Sequence, residues 1–249
     1  DSDPHTWNMK VEDIEPLITE HTKAIMAVHI YGITVDMDPL LDIAGRYDLK
    51  VIEDAAEVIG QTYKGQPCGS FGDISTLSFY SNKHITTGEG GMLLFNDTAM
   101  FERAHILRDH GMSKERRYWH DQVGYNYRMT NIQAAIGVAQ MERIGEFIER
   151  KRWNAEQYRL RLSGEVGLQL IGEVGDVVNS YWFYTIILPL GLAAKRDEII
   201  GMMIKNGVEV RPIFYPMHRM PPYAPFVASG QTYPVSDALA DAGISLPSG

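Results

Sequence analysis

Several features that would point to a function are scarce or missing in this sequence. Cysteine occurs once in 249 residues, as Cys68, which excludes an intramolecular disulfide framework and fits a reducing cytoplasm. No apolar run approaches the length that crosses a bilayer, so a membrane span is not expected. We therefore expect a cytoplasmic protein that does not bind a membrane.

Positive charge is also in short supply. Lysine and arginine total 23 against 32 aspartate and glutamate residues, which gives a formal net charge of −9. A general nucleic-acid binder needs a basic surface for its phosphate contacts, so this balance argues against one. The one basic cluster, KERR at 114–117, is either a solvated loop or a surface that faces an anionic small molecule.

Common cofactor and metal motifs are missing as well. No G-x-G-x-x-G follows a first strand, as it would in a nicotinamide enzyme, and no Walker phosphate loop is present. The histidines show no metal-ligand spacing, since His5, His21 and His105 are scattered along the chain. We therefore expect no dinucleotide, no nucleoside triphosphate and no metal site.

A strand–helix–strand pattern opens the part of the sequence that can be assigned. AIMAVHIYG (24–32) is a short apolar run ending in glycine, which is typical of a buried strand. DPLLDIAGRYDLK (38–50) has helical apolar spacing, with Asp38 as a candidate N-cap and Pro39 in the first turn. VIEDAAEVIG (51–60) begins as a second strand. Such a unit predicts a parallel sheet covered on both faces.

Further along the chain, apolar runs alternate with helical patterns. The predicted elements are strands at 74–80 and 91–96, a helix at 98–111, a long helical stretch at 130–163, a strand at 181–190, a helix at 195–207 and a strand at 208–216. The long stretch is either one helix connecting two lobes or two helices that meet near Gly145. We predict a large α/β domain over 1–145 and, over 146–249, a connecting helix with part of a small α+β domain. The chain looks truncated at both ends, because it starts without methionine and stops without a closing element.

Polar residues stand where two of the predicted strands end. In open α/β sheets, ligands bind outside the carboxyl ends of the parallel strands. VIEDAAE places Glu53, Asp54 and Glu57 at one such end, and SFYSNK places Ser78 and Lys83 at another. The acidic residues are also explained by a helix N-terminus whose dipole they complement, and Lys83 by a solvated loop. A lysine kept among apolar strands and glycines, however, has a lowered pKa and a neutral, nucleophilic amine.

A lysine amine, a strand-end aspartate and a hydroxyl beside a glycine-rich turn match the needs of pyridoxal phosphate (PLP). This cofactor requires a lysine for its Schiff base, an acidic partner for its pyridine nitrogen and groups that bind its phosphate. The pattern therefore makes a PLP enzyme one hypothesis for this chain.

Blocks of sequence along nearly the whole chain resemble the DegT/DnrJ/EryC1/StrS family. They are, in the family's order, TKAIMAVHIYG, VIEDAAEVIG, GDISTLSFYSNKHITTGEGGMLLFND, LRDHGM, YWHDQVGYNYRMTNIQAAIG and VRPIFYPMH. The resemblance implies the fold of a type I PLP-dependent aminotransferase: a large domain with a mixed, mostly parallel sheet and flanking helices, plus part of a small α+β C-terminal domain. It implies transfer of an amino group from L-glutamate to the C4 ketone of a nucleotide-linked 4-keto-6-deoxy sugar, for O-antigen or other surface polysaccharide synthesis. Within the family, the chain looks most like the enzymes that act on GDP-4-keto-6-deoxymannose.

The same resemblance assigns roles to single residues. It implies that Lys83 holds PLP as a Schiff base and shuttles the proton, and that Asp54 pairs with the pyridinium nitrogen. Glu57 would lie near the phenolic oxygen of the cofactor, and Ser78 would bind its phosphate. Asn126 would reach the phosphate in the neighbouring subunit, which makes a homodimer necessary for function.

The remaining implications concern the substrate and the alternatives. Arg211 and His218 lie where relatives line the substrate pocket, and the YWFY run at 181–184 is predicted to be core. His84 stands where close relatives carry threonine, and a related dehydratase branch has histidine in place of the catalytic lysine. Because Lys83 is present, amino transfer is favoured and dehydration is the alternative. A UDP- or dTDP-linked keto sugar as substrate, and a catalytically silent relative, also stay open.

Overall fold

The computed structural model describes residues 1–172, 175 and 177–248. Its strands are β1 Ala24–Val28, β2 Lys50–Asp54, β3 Thr62–Tyr63, β4 Gln66–Pro67, β5 Ile74–Ser78, β6 Gly91–Phe95, β7 Gln169–Leu170, β8 Val177–Val178, β9 Tyr184–Ile187, β10 Arg211–Pro212 and β11 Gly243–Leu246. Its α-helices are α1 Met37–Arg46, α2 Thr98–Arg108, α3 Asn131–Met141, α4 Ile144–Leu162, α5 Leu190–Ala193, α6 Arg196–Lys205 and α7 Pro234–Ala242. Short 3-10 helices lie at Val11–Asp13, Glu15–Leu17, Ile30–Gly32, Met217–Arg219 and Pro221–Phe226.

The first sheet contains the predicted strand–helix–strand unit. Its strand order is β1-β2-β5-β6, in which β1, β2 and β5 run parallel and β6 is antiparallel to β5. The register sets Val28 opposite Asp54, and Asp54 opposite Thr76. The carboxyl ends of the parallel strands therefore share one edge of a mixed, mostly parallel sheet, as predicted.

Helix α1, which connects β1 to β2, begins earlier than predicted. Its first residue is Met37 and Asp36 occupies the N-cap position, so the assignment of Asp38 as the N-cap was wrong. Asp38 lies instead in the first turn, where its carboxylate complements the helix dipole and pairs with Lys64. The buried face of the helix, which carries Leu40, packs on the apolar side chains of β1 and β2.

Near β1, the first sheet is covered on one face. Successive side chains of a strand point to opposite faces. Ile25 and Ala27 are buried in the core beside α1, whereas Met26 and Val28, on the other face, are 55% and 40% exposed. The expectation that both faces are covered is therefore wrong for β1 in the described part of the chain.

The second sheet is antiparallel, with strand order β10-β11-β9-β7. Strands β9 and β11 are buried along their whole length and lie in a core that also contains Trp182. The strands predicted at 181–190 and 208–216 are shorter than expected, since only the residues of β9 and β10 pair. Tyr181 has a φ of +49°, outside the extended range, so regular pairing begins only after this residue.

The long helical stretch at 130–163 consists of two helices. Helix α3 ends and α4 begins on either side of a break that lies just before Gly145, so the two-helix alternative is confirmed. Helix α3 starts with a capping box, in which Thr130 and Gln133 each accept a hydrogen bond from the other's backbone N–H. Within the described ranges, no helix combines the length and the apolar character needed to cross a membrane.

The remaining strands form a small sheet with the order β4-β3-β8. Strand β3 is antiparallel to β8, so Tyr63 lies opposite Val177. This sheet joins the loop that follows β2 to the segment that leads into β9. The division into domains at residue 145 stays a prediction.

Candidate active site

The shared edge of the first sheet places a carboxylate and a hydroxyl on neighbouring strands. Asp54 is the last residue of β2, and Ser78 is the last residue of β5. The Asp54 Oδ1 atom accepts hydrogen bonds from the Ala56 N–H at 3.1 Å and the Thr76 hydroxyl at 3.2 Å. These two bonds fix the orientation of the carboxylate at the end of the parallel strands.

Lys83 lies on the turn that follows β5, and its side chain is nearly enclosed. The turn is closed by a hydrogen bond from the Lys83 N–H to the Tyr80 carbonyl at 3.0 Å. The Lys83 side chain is 9% exposed, and its Nζ lies 3.6 Å from Oε1 of Glu57. The same Nζ lies 3.5 Å from the ring centroid of Trp182. The solvated-loop explanation of this lysine is therefore wrong.

Burial controls the protonation of the Lys83–Glu57 pair. Desolvation raises the pKa of Glu57 to about 7, against the opposing effect of the Lys83 charge. Desolvation also lowers the pKa of Lys83, although Glu57 and Asp54 both act to raise it. Both shifts favour the uncharged forms, so the amine is a better nucleophile than an exposed lysine would be.

The Glu57 carboxylate is held in place by an unusual backbone conformation. Its Oε2 accepts a 2.7 Å hydrogen bond from the Tyr31 N–H. Tyr31 has a φ of +53°, which is uncommon for a bulky side chain and aims this N–H at the carboxylate. The buried Tyr31 ring stacks on Phe214 and Trp182, with centroids 5.3 and 6.5 Å away, and its hydroxyl accepts from the Phe214 N–H. Aromatic packing therefore maintains the conformation.

A buried network centred on Glu53 supports the end of β2. Its Oε1 lies 3.0 Å from Nε2 of the fully buried His29 and accepts from the Gly69 N–H. Its Oε2 accepts three further hydrogen bonds, from the Phe71 N–H, the Gly72 N–H and the Ser75 hydroxyl. Burial acts to raise the pKa of Glu53, but the bonds from His29 and Gly69 outweigh it and hold this pKa at about 2.

Three residues assigned by resemblance have other partners in this single chain. Asn126 is exposed, and its backbone pairs with Asp109. The exposed Arg211 side chain donates to Glu209 at 2.9 Å. The ring of His218 lies 3.0 Å from the Asp237 carboxylate and packs on Tyr233. The structure thus brings Asp54, Glu57 and Lys83 together, and the roles of these three and of the other assigned residues stay predictions.

Sequence reasoning missed the aromatic and histidine residues of this site. Trp182 was assigned to the core, and it is 2% exposed, but its ring also contacts the lysine amine. Tyr31 and His29 were not predicted to be site residues, because neither stands among other candidate catalytic or binding residues in the sequence. The available signal was positional, since both residues follow β1, whose carboxyl end meets that of β2.

Curated relatives of the chain include two GDP-perosamine synthases. The chain is 46% identical over 248 residues to the one from Escherichia coli O157:H7, with 100% of this chain and 66% of the relative covered. It is 47% identical over 250 residues to the one from Caulobacter vibrioides, with 99% of this chain and 66% of the relative covered. The chain therefore spans just under two thirds of the length of these relatives.

Solved structures of aminotransferases share the fold of this chain. The aminotransferase TlmJ from Streptoalloteichus hindustanus superposes with a TM-score of 0.90 at 28% identity, covering 99% of this chain and 66% of that one. The PLP form of the putative sugar aminotransferase Spr1654 from Streptococcus pneumoniae superposes with a TM-score of 0.91 at 26% identity, covering 99% and 68%. The sequence profile of the DegT/DnrJ/EryC1/StrS aminotransferase family matches residues 1–249. The chain belongs to the DegT/DnrJ/EryC1/StrS aminotransferase family.

Proposed function

We propose that this protein is a PLP-dependent aminotransferase that moves an amino group from L-glutamate to the C4 ketone of a nucleotide-linked 4-keto-6-deoxy sugar. The observation that carries the proposal is the enclosed Lys83 amine, 3.6 Å from Glu57, at the edge of the first sheet where its parallel strands end. The substrate we favour is GDP-4-keto-6-deoxymannose, with GDP-perosamine as the product. Identities of 46% and 47% to two GDP-perosamine synthases support this choice over a UDP- or dTDP-linked sugar.

The residues at this edge fit PLP by the chemistry of their donors and acceptors. Both hydrogen bonds that the described residues donate to the Asp54 carboxylate end at Oδ1, so Oδ2 is available to the pyridinium nitrogen. The Ser78 Oγ accepts from the Tyr80 N–H at 3.4 Å and keeps its own proton for a phosphate oxygen. Lys83 supplies the amine that the carbonyl of the cofactor requires. When bound, PLP supplies an electron sink that makes the α-proton of the amino donor acidic.

Lys83 and Glu57 share the proton transfers in this proposal. The uncharged Lys83 amine would hold PLP through the carbonyl of the cofactor. Once the amino donor has displaced it, the free amine would have a lone pair that removes a proton from the substrate. Glu57 titrates near neutral pH, because its pKa is about 7, and its Oε1 lies 3.6 Å from the amine. It therefore takes a proton from Lys83 or returns one without leaving the site. Dehydration is less favoured, because the chain keeps the lysine that amino transfer needs.

Reductive labelling tests the proposal. The purified protein is incubated with PLP, reduced with borohydride, digested and mapped by mass spectrometry. We expect one cofactor-modified peptide, labelled at Lys83, and glutamate-dependent amination of GDP-4-keto-6-deoxymannose in the unreduced sample. Labelling scattered over exposed lysines such as Lys23, with no amination, would refute the proposed function.

Ser78→Ala is expected to weaken PLP binding by roughly 10–100-fold, because a hydrogen bond to a charged group contributes about 1.5–3 kcal/mol. The measurement is titration of the cofactor absorbance at equilibrium. Ser229→Ala, a change at an exposed turn, is the control and should bind PLP like the parent. Equal affinity in the two variants would show that Ser78 does not hold the phosphate.

The homodimer is tested by mixing two inactive variants. If Asn126 serves the neighbouring subunit, Lys83→Ala and Asn126→Ala chains form mixed dimers in which one of the two sites is intact. Random reassortment makes half of the dimers mixed, so about a quarter of the parent activity should return. The activity is compared before and after unfolding and refolding the mixture. No recovery, with dimers present by light scattering, would place Asn126 in its own subunit's site.

A further inference from the structure

Two hydrogen bonds tie the turn that carries Lys83 to the loop before β9. The Trp182 Nε1–H donates to the Asn82 carbonyl at 2.8 Å. The His84 Nε2 atom lies 3.1 Å from the Ser180 carbonyl oxygen. The two segments run in opposite directions, so that Asn82 pairs with Trp182 and His84 pairs with Ser180. Lys83 therefore lies between two residues that are each hydrogen-bonded to the loop.

The ring of His84 acts in this contact as an uncharged donor. A carbonyl oxygen only accepts, so Nε2 carries the proton and Nδ1 carries none. The side chain is buried, and its Nδ1 has no partner among the described residues. Burial lowers the pKa of His84 to about 4, although the hydrogen bond to the Ser180 carbonyl acts to raise it. The ring is therefore neutral near pH 7, and its contribution is a hydrogen bond.

The loop on the other side of these bonds is itself fixed. The Ser180 N–H donates to Oε1 of the fully buried Gln61 at 3.0 Å. The Lys151 amine, on α4, donates to the Trp182 carbonyl at 3.2 Å. Contacts from two separate parts of the chain thus hold the loop, which gives the Lys83 turn a rigid support.

The indole is the part of this loop that meets the reactive amine. The Nζ of Lys83 lies 3.5 Å from the Trp182 ring centroid, and Trp182 is 2% exposed. This buried ring excludes water from one side of the amine and so contributes to its desolvation. Loosening the turn by one bond would let water reach the amine and remove the desolvation that burial imposes.

We propose that His84 is a positioning residue for Lys83: together with the Trp182–Asn82 bond, its bond to Ser180 holds the lysine turn against the loop, so that the amine stays on the indole and out of water. This inference rests on the proposed function only in taking Lys83 as the reactive amine. His84 does not itself touch the reacting atoms in this proposal.

The test measures the titration of Lys83 without PLP. The protein is freed of carbonyl compounds with hydroxylamine and acetylated competitively with acetic anhydride over a pH series. In His84→Ala, we expect the labelling midpoint of Lys83 to rise by about one pH unit towards the ordinary lysine value, which lowers its labelling at pH 8 roughly tenfold. His84→Gln places an amide nitrogen near the position of Nε2 and should keep the parent midpoint. His84→Asn is too short to reach Ser180 and should behave like His84→Ala.

An unchanged midpoint in His84→Ala, or a His84→Gln protein that behaves like His84→Asn, would overturn the inference. If His84→Ala does not fold, Trp182→Phe keeps an aromatic ring and deletes the bond to Asn82, so it should show the same upward shift; an unchanged midpoint there overturns the inference equally. Failure of the proposed function is seen separately, as absent reductive labelling of Lys83 in the parent, because acetylation requires no PLP.

Discussion

Lys83→Ala is expected to lower amino transfer by about 10²–10⁴-fold, the usual contribution of a positioned acid–base group. The variant loses both the nucleophilic amine and the group that takes the substrate proton, and Glu57 has no neighbouring amine with which to exchange that proton. The measurement is the initial rate of 2-oxoglutarate formation from glutamate with GDP-4-keto-6-deoxymannose as acceptor. Reductive labelling of the same variant should give no modified peptide from the turn after β5.

The matched control is Lys23→Ala, because Lys23 is exposed and lies just before β1. This variant should keep the parent rate and the parent labelling pattern. A Lys83→Ala protein that retains activity within a few-fold of the parent would remove Lys83 from the chemistry. In that case, the enclosed amine would have a role in the folded structure alone.

Glu53→Ala is expected to destabilise the protein by at least about 3–5 kcal/mol, because each buried donor left without a partner costs about 1–3 kcal/mol. The substitution leaves His29 and the three backbone N–H groups of Gly69, Phe71 and Gly72 without their acceptor. Chemical denaturation monitored by tryptophan fluorescence measures the loss in free energy of unfolding. Asp42→Asn, on the exposed side of α1, is the control: it loses only a surface ion pair with Arg46 and should leave the denaturation midpoint nearly unchanged.

The same network predicts how stability depends on pH. The pKa of Glu53 is about 2 in the folded protein, against an ordinary value of 4.5. Folding therefore favours the charged form, and this contribution is present above pH 4.5 and is lost as the pH falls towards 2. Glu53→Gln does not titrate, so the decline in its stability between pH 4.5 and 2 should be shallower than in the parent. Parallel declines in the two proteins would show that other carboxylates control acid unfolding.

Local patterns in the sequence predicted the sheet edge and part of the site. The runs that became β2 and β5 end in Asp54 and Ser78, and parallel strands must bring such ends to one edge. Lys83 follows β5 within a few residues, so its nearness to this edge followed from the same rule. The start of α1 was misplaced because Asp36 and Asp38 are both suitable caps, and only the backbone conformation distinguishes them.

The rest of the site depends on contacts that no local pattern contains. Asn82 and Trp182 are 100 positions apart in the chain, and His84 and Ser180 are 96 apart. The sequence pattern around an aromatic residue in an apolar run is the same whether its ring packs only in the core or also contacts an amine. The left-handed backbone of Tyr31 is likewise imposed by packing on Phe214 and Trp182, since the residue type disfavours it.

The separation of Asn82 from Trp182 also has a consequence during synthesis of the protein. Contacts between distant residues form only after the loop between them has closed, and they follow local structure in folding. A ribosome-bound chain that has been made only as far as α4 lacks the indole and the loop that carries it. We expect Lys83 in such a chain to be hydrated and to acylate like its other lysines. The amine would thus acquire its reactivity only when translation has passed β9 and the antiparallel sheet has formed.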